Sequence, residues 1–119
     1  MNRAIVFTVL LVLLVILRYP LHEGFESGTT VIICKAEWCG HCKKAAPEFK
    51  KLMAASPLLL KNGTKATIKM LDADADKDEL KKHNVRGYPS ILIQNGSDVA
   101  EYPGSRTYED VVEYLNQSQ

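Results

Sequence analysis

Beyond residue 28, the chain alternates short, almost continuous apolar runs with stretches in which apolar residues recur every three or four positions. The short runs are typical of buried β-strands, and the spacing of three or four is typical of a helix with one buried face. The pattern predicts four strands, near residues 30–35, 66–71, 90–94 and 99–102. It predicts three helices, over residues 39–55 and 77–83 and in a final segment that opens at Thr107, a residue suited to an N-cap.

The dipeptide Asn95-Gly96 separates the last two predicted strands. Asn-Gly between apolar runs is a strong signal for a tight turn, so we expect these strands to form an antiparallel hairpin. The order of elements is therefore βαβ followed by ββα, which indicates an α/β fold.

The N-terminus carries a different pattern. Every residue from Ala4 to Leu17 is apolar except Thr8, and an arginine flanks the run on each side. With its flanks the run approaches the ~20 residues needed to span a bilayer, and no small-residue cleavage site follows it. We therefore predict a transmembrane signal anchor over residues 1–20 and a linker over residues 21–28. A cleaved signal peptide and a buried helix are the alternatives.

The charges that flank this run bear on its orientation. Arg3 and the terminal amine precede it, whereas Arg18 is followed by Glu23 and Glu26. The positive-inside rule therefore favours a cytosolic N-terminus. The rest of the chain would then lie on the lumenal or extracytoplasmic side, in a compartment like the endoplasmic reticulum.

Composition is that of one ordinary globular domain, which we place at residues 29–119. The chain has 119 residues, of which 46% are hydrophobic and 24% charged. Its formal net charge is +1, with both signs interspersed. Because no basic patch is evident, we expect no nucleic-acid partner.

Two cysteines follow the first predicted strand in the segment Trp38-Cys39-Gly40-His41-Cys42. This position places Cys39 at the start of a helix, where free backbone N–H groups and the helix dipole favour a thiolate. Cys42 lies three residues on, on the same helix face and within reach of a disulfide. We therefore predict a dithiol that alternates with a disulfide, in which Cys39 attacks and Cys42 resolves the mixed disulfide.

An inert disulfide or half of a zinc site is the alternative interpretation of this motif. A second Cys-x-x-Cys or a His-x-x-x-His is missing from the chain, so we expect no metal and no other cofactor. A partly protonated His41 between the sulfurs would stabilise the thiolate of Cys39, and a solvent-facing histidine with no role is the alternative. Stabilising the reduced form makes the disulfide a stronger oxidant, so we expect a potential at the oxidising end of the dithiol range.

Several separate segments, together with the order of elements, resemble the thioredoxin fold. The Cys-Gly-His-Cys and Tyr-Pro-Gly-Ser-Arg segments are more similar to the protein disulfide isomerase branch than to reducing thioredoxins. The resemblance implies a minimal thioredoxin fold, with a mixed four-stranded sheet flanked by helices and without the usual additional N-terminal strand and helix. The segments that carry it are 36–43, 46–49, 85–90 and 101–107.

The resemblance also implies roles for individual residues. In the family, the proline at the position of Pro89 is cis, packs beside the disulfide and lies next to backbone that pairs with an extended substrate peptide. Trp38 and Tyr88 would line that groove, although Trp38 as a plain packing residue is the alternative. Arg106 matches an arginine that lowers the pKa of the second cysteine, with an ordinary surface arginine as the alternative. The candidate catalytic residues are Cys39, Gly40, His41, Cys42 and Arg106, and the candidate substrate-binding residues are Trp38, Tyr88 and Pro89.

Ile33 and Cys34 are among the positions that depart from the family pattern. Ile33 stands where the family has a buried acid that relays protons to the resolving thiol. Lys69 is the candidate for the lysine that usually pairs with that acid. Cys34 occupies a strand position that is normally aromatic, and we interpret it as a small buried apolar residue, with a reactive third thiol as the alternative.

The sequence therefore predicts a membrane-anchored protein thiol–disulfide oxidoreductase. It would form, reduce or isomerise disulfides in substrate proteins through Cys39 and Cys42, recharged by a redox partner that the sequence does not name. The alternatives are a cytosol-facing reductase and a non-catalytic binding module of the same fold.

Overall fold

The structure is a computed structural model that describes residues 2–19 and 28–118. Within these residues the chain forms four helices and five strands. In chain order they are α1 (Arg3–Arg18), β1 (Thr29–Lys35), α2 (Gly40–Ala55), β2 (Leu58–Leu59), β3 (Lys65–Asp72), α3 (Lys77–Lys82), β4 (Ser90–Asn95), β5 (Asp98–Glu101) and α4 (Tyr108–Gln117).

The strands form one mixed sheet in the order β2-β3-β1-β4-β5. The central strand, β1, is parallel to β3 and antiparallel to β4. β4 and β5 form the predicted antiparallel hairpin, and Gly96 in its turn adopts a positive φ of 61°. The mixed sheet flanked by helices is confirmed.

The number of strands differs from the prediction. The sheet has five strands rather than four, because Leu58 and Leu59 pair antiparallel with Ala66 and Lys65 at the edge of β3. Two residues are too few to show a period of two, so β2 left no readable pattern in the sequence.

Alternate side chains of β1 enter two different cores. Val31 and Ile33 pack on the side of α2 and α4, against a cluster that includes Phe49. Ile32 and Cys34 point to the opposite side, where α3 contributes Leu80. Helices cover both faces of β1, which accounts for the wholly apolar centre of this strand. The segment that carries Cys39 and Cys42 follows directly after this buried strand.

The structure does not show the membrane span predicted over residues 1–20, of which it describes residues 2–19, including the 16-residue helix α1. Among the described residues, no helix is both long enough and apolar enough to cross a membrane. All but the last residue of the predicted linker, 21–28, lies outside the described residues.

Helix α4 begins as the sequence indicated. The Thr107 hydroxyl accepts a hydrogen bond from the backbone N–H of Asp110, which confirms Thr107 as the N-cap. The Glu48 carboxylate on α2 accepts a second bond, 2.8 Å long, from the backbone N–H of Tyr108. These bonds satisfy free N–H groups at the start of α4 and tie it to the helix that carries the cysteines.

Candidate active site

Cys39 is the N-cap of α2, the position that the sequence predicted for it. Its backbone is extended, its N–H donates to the carbonyl of Ala36, and its carbonyl accepts from the N–H of Lys43. A cap residue sits directly in front of the free N–H groups of the first helical turn. The sulfur is therefore held where backbone donors stabilise a negative charge.

The Cys39 thiol is half-buried, and its pKa is lowered from the ordinary cysteine value. The main cause is the backbone N–H of Cys42. The Cys42 thiol, the backbone N–H of His41 and the positive charge of Arg106 act in the same direction. As a thiol, Cys39 donates to the carbonyl oxygen of Tyr88 at 3.5 Å. Cys39 therefore has the accessibility and the stabilised thiolate of an attacking nucleophile.

Cys42 lies one turn into α2 and only 5% of it is exposed. Burial raises the pKa of its thiol, while the backbone N–H of Ala36, 3.4 Å from Sγ, opposes that rise. The two neighbouring thiols are thus shifted in opposite directions. This asymmetry agrees with an attacking Cys39 and a protected, resolving Cys42.

A cis peptide bond joins Tyr88 to Pro89 beside the cysteines, as the resemblance implied. Pro89 is buried, and the carbonyl of Tyr88 faces Cys39 Sγ. The rings of Tyr88 and Trp38 meet edge to face, with centroids 6.0 Å apart. Trp38 remains 66% exposed, so it stands at the surface beside Cys39 rather than in a core.

Gly40 and His41 follow Cys39 in the first turn of α2. The His41 side chain is exposed, and the backbone N–H of this residue helps to lower the pKa of Cys39. Gly40 has no positive φ, and a Cβ built on it would meet nothing within 4 Å. Open space therefore lies beside Cys39 on the helix side.

Arg106 lies in the loop between β5 and α4, where its positive charge lowers the pKa of both Cys39 and Cys42. Its side chain is exposed and borders a cavity of about 400 Å³ that Pro89 also lines. The tertiary fold therefore brings Arg106 to the cysteines across more than sixty residues of chain.

The positive charge of Arg106 leads to a prediction about how the alkylation of Cys39 depends on pH. Only the thiolate of Cys39 reacts with iodoacetamide, so its alkylation rate rises with pH around the pKa of Cys39. An ordinary cysteine has a pKa of about 8.5, and we expect the midpoint for Cys39 to lie below that value. Arg106→Gln removes a charge that lowers this pKa and moves the midpoint to higher pH, whereas Arg106→Lys keeps most of the effect. An unchanged midpoint in Arg106→Gln would contradict the placement of this arginine.

A packed turn holds the loop that carries Arg106. The hydroxyl of Tyr102 donates to the carbonyl of Ser105 at 2.9 Å, and its ring packs edge to face on Tyr114. A Cβ on Gly104 would lie 2.4 Å from the Tyr102 hydroxyl oxygen and 2.6 Å from ring carbon Cζ. Sequence reasoning placed Gly104 in a family segment but missed this steric requirement, which no local pattern reveals.

We expect Gly104→Ala to lower the free energy of unfolding by about 1–3 kcal/mol, because the added methyl displaces the buried Tyr102 ring. Urea denaturation measures this change. Gly87→Ala is the matched control, since its added Cβ meets nothing within 4 Å. Equal effects of the two substitutions would refute the steric argument.

The sheet register contradicts the expectation that Lys69 stands where the family has the lysine that pairs with the buried acid. Ile33 lies opposite Met70 on β3, and both pack into the core on the α2 side. Lys69 pairs with Ile32 instead, on the other face of the sheet, where its Nζ bonds the carboxylate of Glu79. Because side chains alternate along a strand, a one-residue offset moves Lys69 to the wrong face. An apolar pair, Ile33 and Met70, occupies the place of the acid and its lysine.

Cys34 has no access to this chemistry. It is wholly buried, and burial together with the charge of Glu79 raises the pKa of its thiol to about 11. A buried thiol of that pKa is unreactive near neutral pH. Among the described residues, no group of three or more His, Cys, Asp or Glu side chains is arranged to hold a metal ion.

The Thioredoxin family model matches residues 22–117. The chain belongs to the thioredoxin family. It is 42% identical over 83 residues to the protein disulfide-isomerase of Saccharomyces cerevisiae, a match that covers 67% of this chain and 15% of that protein. It is 34% identical over 87 residues to the protein disulfide-isomerase A4 of Bos taurus, covering 73% of this chain and 13% of that protein.

A solved structure supports the same assignment of this thioredoxin domain. The first thioredoxin domain of mouse protein disulfide-isomerase A4 has a TM-score of 0.64 and 31% identity, with 82% of this chain and 67% of that chain covered. The match therefore spans only about a seventh of the length of the yeast protein.

Proposed function

We propose that this thioredoxin domain, residues 29–119, is a protein thiol–disulfide oxidoreductase similar in activity to the protein disulfide isomerases. The observation that carries the proposal is the pair of opposed thiols. Cys39 is accessible with a lowered pKa, and Cys42, three residues on, is buried with a raised pKa. A purely structural cysteine pair has no need of this asymmetry.

The oxidised form begins the forward reaction. A substrate thiolate attacks Sγ of Cys39 in the Cys39–Cys42 disulfide, which forms a mixed disulfide and releases Cys42 as a thiolate. A second substrate thiolate then attacks the substrate sulfur of the mixed disulfide and expels Cys39 as a thiolate. The substrate loses two electrons and the enzyme gains them. In the reverse direction Cys39 attacks substrate disulfides and allows them to be reduced or rearranged.

The groove beside Cys39 supports an extended peptide as the substrate. The Tyr88 carbonyl lies next to Cys39 Sγ, just before the start of β4. In the thiolate form that carbonyl loses the donor it now has, so it becomes free to accept a backbone N–H from a peptide added as a strand. Exposed Trp38 offers apolar contact at one side of the groove.

Stabilisation of the Cys39 thiolate favours the reduced enzyme and therefore an oxidising disulfide. We expect a potential nearer the roughly −180 mV of the isomerase than the roughly −270 mV of thioredoxin. We further propose that the domain works in an oxidising, lumenal compartment like the endoplasmic reticulum. Its relatives bear the name protein disulfide-isomerase. Protease protection in intact vesicles tests the location, and digestion from the cytosolic side would refute it.

The test of the activity is catalysed oxidation of a peptide with two cysteines in a glutathione buffer of defined potential. We expect the full chain to accelerate disulfide formation catalytically, with many turnovers per molecule. The Cys39→Ser/Cys42→Ser variant is the control and should match the rate without enzyme. Stable peptide binding without turnover would refute the enzyme and leave the non-catalytic binding module.

A further inference from the structure

Three cavities adjoin the segment Tyr88–Ser90 and extend the groove beyond the cysteines. One of about 400 Å³ lies between Pro89 and the Arg106 loop. A second, of about 510 Å³, runs from Ser90 towards the end of α3, and a third, of about 370 Å³, lies between Tyr88 and α3. A peptide that pairs with the backbone at Tyr88 would place its flanking side chains over these cavities, an inference that rests on the proposed function.

Taken together, the linings of these cavities hold more cations than carboxylates, although the chain as a whole is nearly neutral at +1. A single carboxylate, Glu101, lines two of them. The cations that line them are Lys77, Lys81, Lys82, Arg86 and Arg106. All five side chains are exposed, and among the described residues none of them lies within 4 Å of a carboxylate.

Two nearby carboxylates, those of Asp72 and Glu79, already have local partners. Asp72 pairs with Lys35 and accepts the backbone N–H groups of Asp74 and Ala75. Glu79 pairs with Lys69 on the far side of α3. Asp74, whose charge acts on Tyr88, and exposed Asp78 on α3 add negative charge near these cavities, and together with Glu101 they offset part of the five positive charges.

We propose that this basic groove selects substrate segments in which acidic residues flank the reacting cysteine. Unpaired cations on both sides of Tyr88 and Pro89 attract carboxylates of the incoming peptide and repel lysines. The attraction between exposed charges acts over about 10 Å at 0.1 M salt and weakens as salt increases. It raises the rate of encounter more than the rate of the chemical step.

The test compares three peptides with one reacting cysteine pair, flanked by glutamate, glutamine or lysine. At low salt we expect kcat/KM of the full chain to fall in the order glutamate, glutamine, lysine, by about tenfold between the extremes. At about 0.5 M sodium chloride the difference should nearly vanish. Lys77→Glu/Lys81→Glu should remove or invert the order.

Lys61→Glu/Lys65→Glu is the matched control, because it makes the same change of charge on exposed residues. β1 and β3 are parallel, so Lys65 at the start of β3, and Lys61 in the turn before it, lie at the opposite end of the sheet from Cys39. The control should keep the preference for glutamate.

Equal rates for the three peptides, or an equal loss of preference in both double variants, would overturn the acidic selection while exchange activity persists. Failure to oxidise any of the peptides would overturn the proposed function as well.

Discussion

Cys39→Ser should reduce catalysed disulfide exchange by more than about 100-fold, while Cys42→Ala should convert the protein into a trap for its substrates. The serine hydroxyl is not ionised near neutral pH and cannot replace the thiolate that attacks and leaves. Cys42→Ala leaves the accessible, low-pKa thiol of Cys39 in place but removes the thiol that resolves the mixed disulfide.

Non-reducing electrophoresis after acid quenching measures both effects. The Cys42→Ala variant should accumulate adducts that disappear on reduction, and Cys39→Ala/Cys42→Ala should show none. Cys34→Ala is the matched single-thiol control: the Cys34 sulfur is buried, so its removal should leave the formation of adducts unchanged. Adducts that survive without Cys39 would disprove its assignment as the nucleophile.

Ile33→Glu should lower the free energy of unfolding by about 3 kcal/mol or more at neutral pH. Ile33 is 0% exposed in a cluster of apolar side chains, so the carboxylate would be desolvated without a partner. Burial raises the pKa of such a carboxyl group. The destabilisation therefore grows as the pH rises above about 4.3, the pKa of an unfolded glutamate, and levels off at the raised folded value.

Met70→Lys would supply a positive charge that can pair with the carboxylate introduced by Ile33→Glu, because Met70 lies opposite Ile33 in the sheet register and is only partly buried. We expect Ile33→Glu/Met70→Lys to be less destabilised than the sum of the two single variants. Lys69 in the wild type cannot fill this role, since it lies on the other face with Glu79. Ile33→Val, which should cost about 0.5–1.5 kcal/mol, controls for lost packing. Additive losses in urea denaturation would contradict the pairing of these two positions.

The apolar pair also bears on the chemistry of the resolving thiol. The groups that shift the pKa of Cys42 are the buried surroundings, the Ala36 backbone, Cys39 and Arg106, and none of them is a carboxylate. Ile33 therefore offers no carboxylate to accept a proton from Cys42. The positive charge of Arg106 favours the thiolate form of Cys42.

Much of this domain was predictable because the signals were local. The strands β1, β3, β4 and β5 and the helices α2, α3 and α4 lie within one or two residues of the prediction. Apolar periodicity, the Asn95-Gly96 turn and the Thr107 cap each depend on a few neighbouring residues. The prediction of four strands missed the two-residue strand β2, which forms only because it pairs with β3 and has no sequence pattern of its own.

By itself, the sequence determined which chemistry the chain carries: two cysteines one helical turn apart, with Cys39 at the helix start, follow from spacing and secondary structure alone. The tertiary structure decided which groups surround those sulfurs. It set the Tyr88 carbonyl beside Cys39, brought Arg106 to both thiols and put Lys69 on the wrong face to serve Ile33. The physical reason is range, because helix and strand signals act over a few residues, whereas register and packing are set by residues far apart in the chain.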